Sequence, residues 1–204
     1  MTYRNSSDNP STLTRTVQFV VNDGVASSAP VTRAITVSTV NDAPVLAALE
    51  AVPLNYTENQ PATALTASLT VSDADNATLT GAAVQITGNY TSGQDVLGYS
   101  NTGSISGSFD FGLGTLTLSG TDTLDNYQAA LRAVTYHNTS DNPSTQARTV
   151  QFVGNDGLAI SAPVTRTITV NAVRCAVHLH RPSQSGGWIQ QSPDDHDQRS
   201  QLCE

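Results

Sequence analysis

The sequence contains no lysine, so its nine basic residues are all arginine, against 17 acidic residues and a formal net charge of −8. Proteins that bind nucleic acids or anionic membranes do so through clustered basic side chains, and this chain has none. We therefore expect neither kind of partner. The sequence also lacks an apolar run of about eighteen residues and a basic-then-apolar N-terminus, so it shows neither a transmembrane segment nor a signal peptide.

Cysteine is almost as scarce. Both cysteines, Cys175 and Cys203, lie close to the C-terminus. The rest of the chain is therefore not a disulfide scaffold, and its fold must be held by a core, by neighbouring domains or by metal. Thr, Ser, Asn, Ala and Val dominate it, a composition that favours strands and turns.

The sequence does contain an internal repeat. Residues 135–173 repeat residues 2–40 with 29 identities over 39 positions, and the offset of 136 − 3 = 133 requires no gap. Self-similarity at a fixed offset is the signature of a repeat array. We interpret residues 1–40 as the C-terminal part of a truncated repeat, residues 41–173 as a complete repeat and residues 174–204 as a different segment.

The ends of the chain support this division. Met1 aligns with Val134, inside a predicted strand, which indicates truncation. Val40 is followed by Asn-Asp-Ala-Pro, whereas Val173 is followed by Arg-Cys-Ala, a difference that a frameshift would produce. We therefore predict that residues 174–204 are a frameshifted and disordered tail.

Many short alternating segments separated by turn residues predict an all-β fold, an antiparallel Greek-key β-sandwich. The alternation of Leu65, Ala67, Leu69 and Val71 predicts one strand of it. One short helix is predicted over residues 121–133, where apolar residues recur at helical spacing and Thr121 or Asp122 could serve as the N-cap.

The acidic residues of the complete repeat occur in a pattern. Asp73 and Asp75 stand two apart after a predicted strand, Asp156 lies in the Asn-Asp-Gly turn between the last two strands, and Asn41-Asp42 lies in the linker. Ca²⁺ requires six to eight oxygen ligands, which loops supply more readily than regular strands. In a sandwich these loops can meet at one end, although Asp-x-Asp and Asn-Asp-Gly are also ordinary turn formers.

Four motifs resemble the calcium-binding motifs of cadherin repeats. Three follow one another along the repeat: Thr57-Glu58-Asn59, Ser72-Asp73-Ala74-Asp75-Asn76 and Asn155-Asp156-Gly157. The fourth is the linker type Asn41-Asp42-Ala43-Pro44, which in this order would come after each repeat. Residues 122–157 also resemble the chondroitin-sulphate-proteoglycan type of cadherin-like repeat found in large bacterial surface proteins. The resemblance implies a cadherin/immunoglobulin-like sandwich and a Ca²⁺ site between successive repeats. It implies metal ligands at Asn41, Asp42, Asp73, Asp75 and Asp156, with Glu58 facing the following junction.

The resemblance further implies a non-enzymatic role in cell adhesion, or as a calcium-stiffened spacer, in an extracellular or cell-surface protein. The expected partners are neighbouring repeats of the same protein, together with a cell-surface protein or glycan. Two alternatives remain open: an inactive gene fragment, and a carbohydrate-binding module that uses the Gly/Ser-rich residues 88–114. The aromatic side chains of that segment are Tyr90, Tyr99, Phe109 and Phe111.

Overall fold

The structure is a computed structural model, and it describes residues 1–173. The tail that the sequence predicts to be disordered, 174–204, lies outside the described residues. Strands β1 to β13 span Arg15–Phe19, Val31–Ile35, Val45–Ala47, Leu54–Thr57, Thr63–Ala64, Thr70–Ser72, Thr78–Gly88, Asp95–Gly98, Ser106–Asp110, Thr115–Thr123, Thr135–Asn138, Arg148–Asn155 and Val164–Asn171, and helix α1 spans Leu124–Arg132. The all-β prediction with one short helix is confirmed.

The complete repeat is built from one large sheet and two small ones. The large sheet has the strand order β4-β13-β12-β7-β10-β9, and the small sheets are β5-β11-β8 and β3-β6. All of these pairs are antiparallel except β4 with β13, which run parallel. Strands β1 and β2 form a separate two-stranded sheet in residues 1–40.

The core of the repeat lies between the large sheet and the small ones. Alternate residues of β12 are buried, which places Val150 and Phe152 in contact with a single apolar cluster. The small sheets contribute Leu46, Leu97 and Tyr136 to the same cluster. Period-two alternation is what a sheet with one face against a core requires, so the sequence pattern and the packing agree.

A buried ion pair joins the two layers. Arg148 opens β12 of the large sheet, Asp95 opens β8 of a small sheet, and their Nε and Oδ2 atoms lie 3.2 Å apart with both side chains fully buried. Tyr136 and Asn138 donate hydrogen bonds of 2.6 and 2.7 Å to Asp95 Oδ1. Burial and this contact with Asp95 raise the pKa of the Tyr136 hydroxyl. Because a buried carboxylate is costly unless it is paired and hydrogen-bonded, the cluster also fixes how the sheets meet.

The helix begins later than predicted. Strand β10 pairs with β7 as far as Thr123, so residues 121–123 are extended and the N-cap is Thr123, whose side chain accepts a hydrogen bond from Asn126 N. The predicted caps Thr121 and Asp122 are therefore wrong. Tyr127, Ala130 and Leu131 are buried, as the helical spacing requires. Within residues 1–173 no helix is long and apolar enough to cross a membrane.

The strand predicted from Leu65 to Val71 is also wrong, because residues 65–69 are irregular. Glu50 Oε1 accepts hydrogen bonds from the backbone N–H groups of Ala67 and Ser68, at 2.7 and 3.2 Å. These N–H groups are thereby taken up by a side chain instead of a neighbouring strand. Leu65 and Leu69 are buried and Val71 lies in β6, but Ala67 is exposed and Thr66 is buried, so the alternation indicated only part of the burial and of the backbone pairing.

The buried ion pair gives a first testable prediction, for which the repeat supplies a matched control. We expect Arg148→Ala to lower the free energy of unfolding of the complete repeat by about 3 to 5 kcal/mol, because it leaves Asp95 buried without its cation. Arg15 is the equivalent residue in the partial copy and is only partly buried. Arg15→Ala should therefore cost less than about 0.5 kcal/mol in the same urea denaturation experiment. Equal losses in the two variants would contradict this interpretation of the pair.

Glu50 gives a second prediction, on the pH dependence of stability. Burial of Glu50 opposes ionisation, but hydrogen bonds from Thr66 and Ala67 and the charge of Arg166 outweigh it and lower the pKa to about 2 from 4.5. The folded state therefore binds this proton more weakly than the unfolded state does. Its stabilisation is complete above pH 4.5 and is lost as the pH falls towards 2.

Because the Glu50 side chain is 26% exposed, we expect this contribution to be about 1 to 3 kcal/mol. The check is urea denaturation of the wild type and Glu50→Gln at several pH values. The stability difference between the two should shrink as the pH falls below 4.5. A difference that stays constant down to pH 2 would contradict the assignment.

Candidate metal centre at the entry end of the repeat

Three loops meet where the chain enters the complete repeat. The linker residues Asn41 and Asp42 precede β3, and Asp73 and Asp75 follow β6. Because β3 and β6 pair antiparallel with Val45 opposite Ser72, the start of one strand lies beside the end of the other. The turn after β12 supplies the third loop. We call the resulting cluster the acidic pole: Asn41, Asp42, Asp73, Asp75, Asn76 and Asp156.

Direct hydrogen bonds join the three loops of the acidic pole. Asn41 Nδ2 donates to Asp156 Oδ2 at 2.9 Å, and Asn76 Nδ2 donates to Asn41 Oδ1 at 2.8 Å. The backbone N–H of Asp42 donates to Asp75 Oδ2 at 3.3 Å. Five of the six predicted ligands therefore lie at one end of the repeat, brought together from positions as much as 115 residues apart.

Each aspartate loop is held in shape by its own backbone. Asp73 Oδ1 accepts hydrogen bonds from the N–H groups of Asp75 and Asn76, at 3.1 and 2.8 Å. Asp156 Oδ1 likewise accepts from Leu158 and Ala159, both at 2.6 Å. One oxygen of each carboxylate is thus used locally, and the second oxygen of Asp156 contacts Asn41 and Asn76. Asp73 Oδ2 is buried and has no hydrogen-bond partner among the described residues.

The pole concentrates negative charge. Desolvation and the neighbouring carboxylates of Asp73 and Asp42 raise the pKa of Asp75, although the Asp42 N–H opposes them. Burial also opposes ionisation of Asp156, but hydrogen bonds from Ala159, Asn41 and Leu158 outweigh it and lower the pKa of that carboxyl. The protein therefore favours the ionised form of Asp156 and disfavours the ionised form of Asp75.

At the centre of the pole lies the amide of Asn76. Its Nδ2 is 2.8 Å from Asn41 Oδ1 and 3.3 Å from both Asp75 Oδ1 and Asp156 Oδ2. Among residues 1–173, no three His, Cys, Asp or Glu side chains are grouped so as to hold a metal ion. The three oxygens around Asn76 Nδ2 nevertheless belong to two carboxylates and one amide, and Asp73 adds a buried oxygen without a partner among the described residues. Carboxylate and amide oxygens are the ligand types of a hard cation.

Two residues of this region were missed in the sequence analysis. Asn76 directly follows the Asp-x-Asp motif, so its position was the available signal. Asp8 comes from the partial copy, and together with Asp42 and Asp73 it lines an open cleft of about 560 Å³ beside the pole. No local pattern marks Asp8, which belongs to a loop rich in Ser and Asn.

Glu58 lies apart from the acidic pole, beside the end of β13. Its backbone N–H donates to Asn171 O at 3.0 Å, and its Oε1 accepts a hydrogen bond of 2.7 Å from Val173 N. The side chain is only 6% exposed, and Oε2 has no partner among the described residues. Glu58 is therefore adjacent to the point where the chain leaves the repeat, not to the point where it enters.

The aromatic side chains of residues 88–114 serve mainly as packing. Tyr90, Tyr99 and Phe109 are partly buried against the core, and the Tyr90 hydroxyl donates to Phe111 O at 2.6 Å. Phe111 contacts Phe109 edge-on, with ring centroids 4.9 Å apart. Sugar rings require exposed aromatic faces, and only Phe111 is exposed by as much as half. This arrangement disfavours the carbohydrate-binding alternative.

Comparison with protein-family models finds no match, and comparison with curated proteins finds none either. The functional interpretation of the acidic pole therefore rests on its motifs, its geometry and the internal repeat.

The raised pKa of Asp75 gives a prediction about stability in the absence of metal. Because its folded-state pKa is raised, ionised Asp75 destabilises the fold at neutral pH, and this effect disappears as the pH falls and the carboxyl is protonated. We expect Asp75→Asn to raise the Tm at pH 7 in chelator. Asp110→Asn, a carboxyl at the end of β9, serves as control and should not raise it. A lower Tm for Asp75→Asn would contradict the repulsion.

Proposed function

We propose that residues 41–173 are a non-enzymatic, calcium-binding cadherin-like repeat of a large extracellular bacterial protein, with a role in adhesion or as a calcium-stiffened spacer. The observation that carries the proposal is the convergence of Asn41, Asp42, Asp73, Asp75 and Asp156 at the entry end of the repeat. If these residues served only as turn formers, their carboxylates would not be expected to lie together, since they come from the linker, the loop after β6 and the loop after β12.

These residues would hold the ion through their carboxylate and amide oxygens. Asn76, whose Nδ2 contacts Asn41, Asp75 and Asp156, would bind it only with its amide turned so that the oxygen replaces Nδ2. Ca²⁺ would neutralise carboxylates that repel one another when the site is empty. The linker residues Asn41 and Asp42 belong to the same cluster as the loops of the repeat. Fixing them to those loops restricts the hinge between the repeat and the chain before it, and the expected partners are therefore the neighbouring repeats.

Glu58 fits the same scheme at the opposite end. Its Oε1 accepts a hydrogen bond from Val173, where a following repeat would be attached, and its Oε2 has no partner within residues 1–173. In the proposed array, each repeat supplies most ligands from its entry end and one carboxylate from its exit end. Glu58 would therefore act at the next junction and contribute little to the ion at Asn41.

Calcium titration tests the proposal. Extracellular modules bind Ca²⁺ with a Kd of about 10⁻⁴ to 10⁻³ M, so about 10 mM Ca²⁺ should stabilise the repeat by roughly 1.4 to 2.7 kcal/mol, seen as a higher Tm. Mg²⁺ at the same concentration should do less, because its smaller octahedral shell fits this loop cluster poorly.

The repeat again provides the control. Asp156→Asn should remove most of the calcium-dependent increase in Tm, whereas Asp23→Asn, the equivalent change in the partial copy, should leave it intact. Scattering should also show a narrower range of dimensions with Ca²⁺ than with chelator. Equal Tm values with and without Ca²⁺, or equal sensitivity to the two substitutions, would refute the assignment.

A further inference from the structure

Residues 1–40 expose a face that is core in the complete repeat. Tyr3 and Phe19 are 47% and 42% exposed, while their equivalents at the offset of 133, Tyr136 and Phe152, are fully buried. Val17 and Ile35 are partly exposed, and their equivalents Val150 and Ile168 are also fully buried. No residue of the first 40 is buried. An apolar sheet face of this kind marks an interaction surface.

The local structure of this segment nevertheless matches that of its equivalent. Strand β1 pairs with β2 from Arg15 opposite Ile35 to Phe19 opposite Val31, and β12 pairs with β13 in the same register, offset by 133 residues. The turn contacts also recur: Ser28 N donates to Val21 O at 2.7 Å, as Ser161 N donates to Gly154 O at 2.9 Å. We call residues 2–40 and 135–173 closing units, and residues 41–134 the opening half.

Two arginine positions indicate which charges a partner of this surface would supply. In the complete repeat Arg148 pairs with Asp95 at 3.2 Å, and Arg166 pairs with Glu50 at 3.2 Å. Both acids belong to the opening half. The first closing unit carries Arg15 and Arg33 at the same positions, and Arg15 already donates to the carbonyls of Ser11 and Leu13, at 2.7 and 2.8 Å. Its guanidinium is oriented by the closing unit itself, and within residues 1–173 no carboxylate forms an ion pair with it.

The unpaired edges of the β1–β2 sheet also indicate that an opening half would complete this surface. In the complete repeat β12 pairs with β7 and β13 pairs with β4, both strands of the opening half, whereas β1 and β2 pair only with each other among the described residues. Residues 2–5 form no strand, although their equivalent β11 does so between β5 and β8. Both missing neighbours of that segment are again strands of an opening half.

We infer that the face of residues 2–40 bearing Tyr3, Arg15, Val17, Phe19 and Ile35 is a docking surface for a second opening half, one that resembles residues 41–134. The partner presents one carboxylate to Arg15 and another to Arg33, and it adds strands to both free edges of the β1–β2 sheet. Main-chain pairing supplies the affinity, and the two acidic positions supply the register.

One substitution between the copies defines this partner further. Val21 stands where the complete repeat has Gly154, and a Cβ at Gly154 would lie 3.1 Å from Leu46 Cδ1 and 3.3 Å from Leu79 Cδ1. A valine there requires more room than the opening half of this chain provides. At these distances the leucine side chains have to shift by a few tenths of an ångström. An opening half with a smaller side chain at the position of Leu46 or Leu79 therefore fits Val21 better than the opening half of this chain does.

The experiment compares the full chain with an extended chain in which residues 41–134 are joined directly to Thr2. This junction reproduces the Val134–Thr135 step, and the added opening half is the probe. Hydrogen exchange is measured in chelator, so the result does not depend on calcium binding. We expect β1 and β2 amides to exchange quickly in the full chain and at least about 100-fold more slowly in the extended chain.

Three variants of the extended chain test specificity. Val21→Gly should slow the exchange of β1 and β2 further, because it removes the clash. Arg15→Ala should abolish their protection and leave β12 and β13 protected, and Arg148→Ala should do the reverse. The inference is overturned if β1 and β2 exchange equally fast in both chains, or if Arg15→Ala has no effect. It is equally overturned if the full chain already protects these strands, alone or as a dimer.

Discussion

The fold depends on a buried ion pair whose two members come from the two layers of the sandwich. Arg148 and Asp95 are fully buried and lie on different sheets, so each charge meets the opposite charge only across the core. Tyr136 and Asn138 complete the hydrogen bonding of the carboxylate. In a medium of low polarity an unpaired member of this cluster is strongly unfavourable, which selects one way of closing the sandwich. Residues 1–40 carry Arg15, the equivalent of Arg148, but they include no equivalent of Asp95, and none of them is buried.

The acidic pole is arranged by the same framework. Pairing of β3 with β6 places the linker beside the Asp-x-Asp loop, and β12, which begins at Arg148, ends at the turn that carries Asp156. One oxygen of Asp73 and one of Asp156 accept hydrogen bonds from backbone N–H groups of their own loops, so the shape of these loops does not require a ligand. The second oxygen of Asp156 and both oxygens of Asp75 accept hydrogen bonds from other loops or from Asn76, while the neighbouring carboxylates raise the pKa of Asp75. In the proposed function, a bound cation would relieve this repulsion, and the loops would keep their shape without it.

Much of the fold class could be predicted from the sequence, because short alternating segments are typical of strands with one face against a core. In β12 every second residue is buried, from Arg148 to Gly154. The segment at Leu65 shows the limit of the method: its N–H groups are taken by Glu50, which is 17 residues away from Ala67 in the chain. The acidic motifs likewise indicated their shared location. Asn76 belongs to one of these motifs, but its central place is shown by its hydrogen bonds, and Asp8 is identified only by the cleft that it lines.

The two copies also show how a junction divides its residues between repeats. Asp8 lines the cleft beside Asp42 and Asp73 at the entry end of the complete repeat. Its equivalent, Asp141, lines a groove with Asn171 and Val173 at the exit end. In the proposed array, this position of one repeat would face the entry end of the next. A junction would then be complete only where the exit loop of one repeat meets the acidic pole of the following one, and its charge would be set by both repeats.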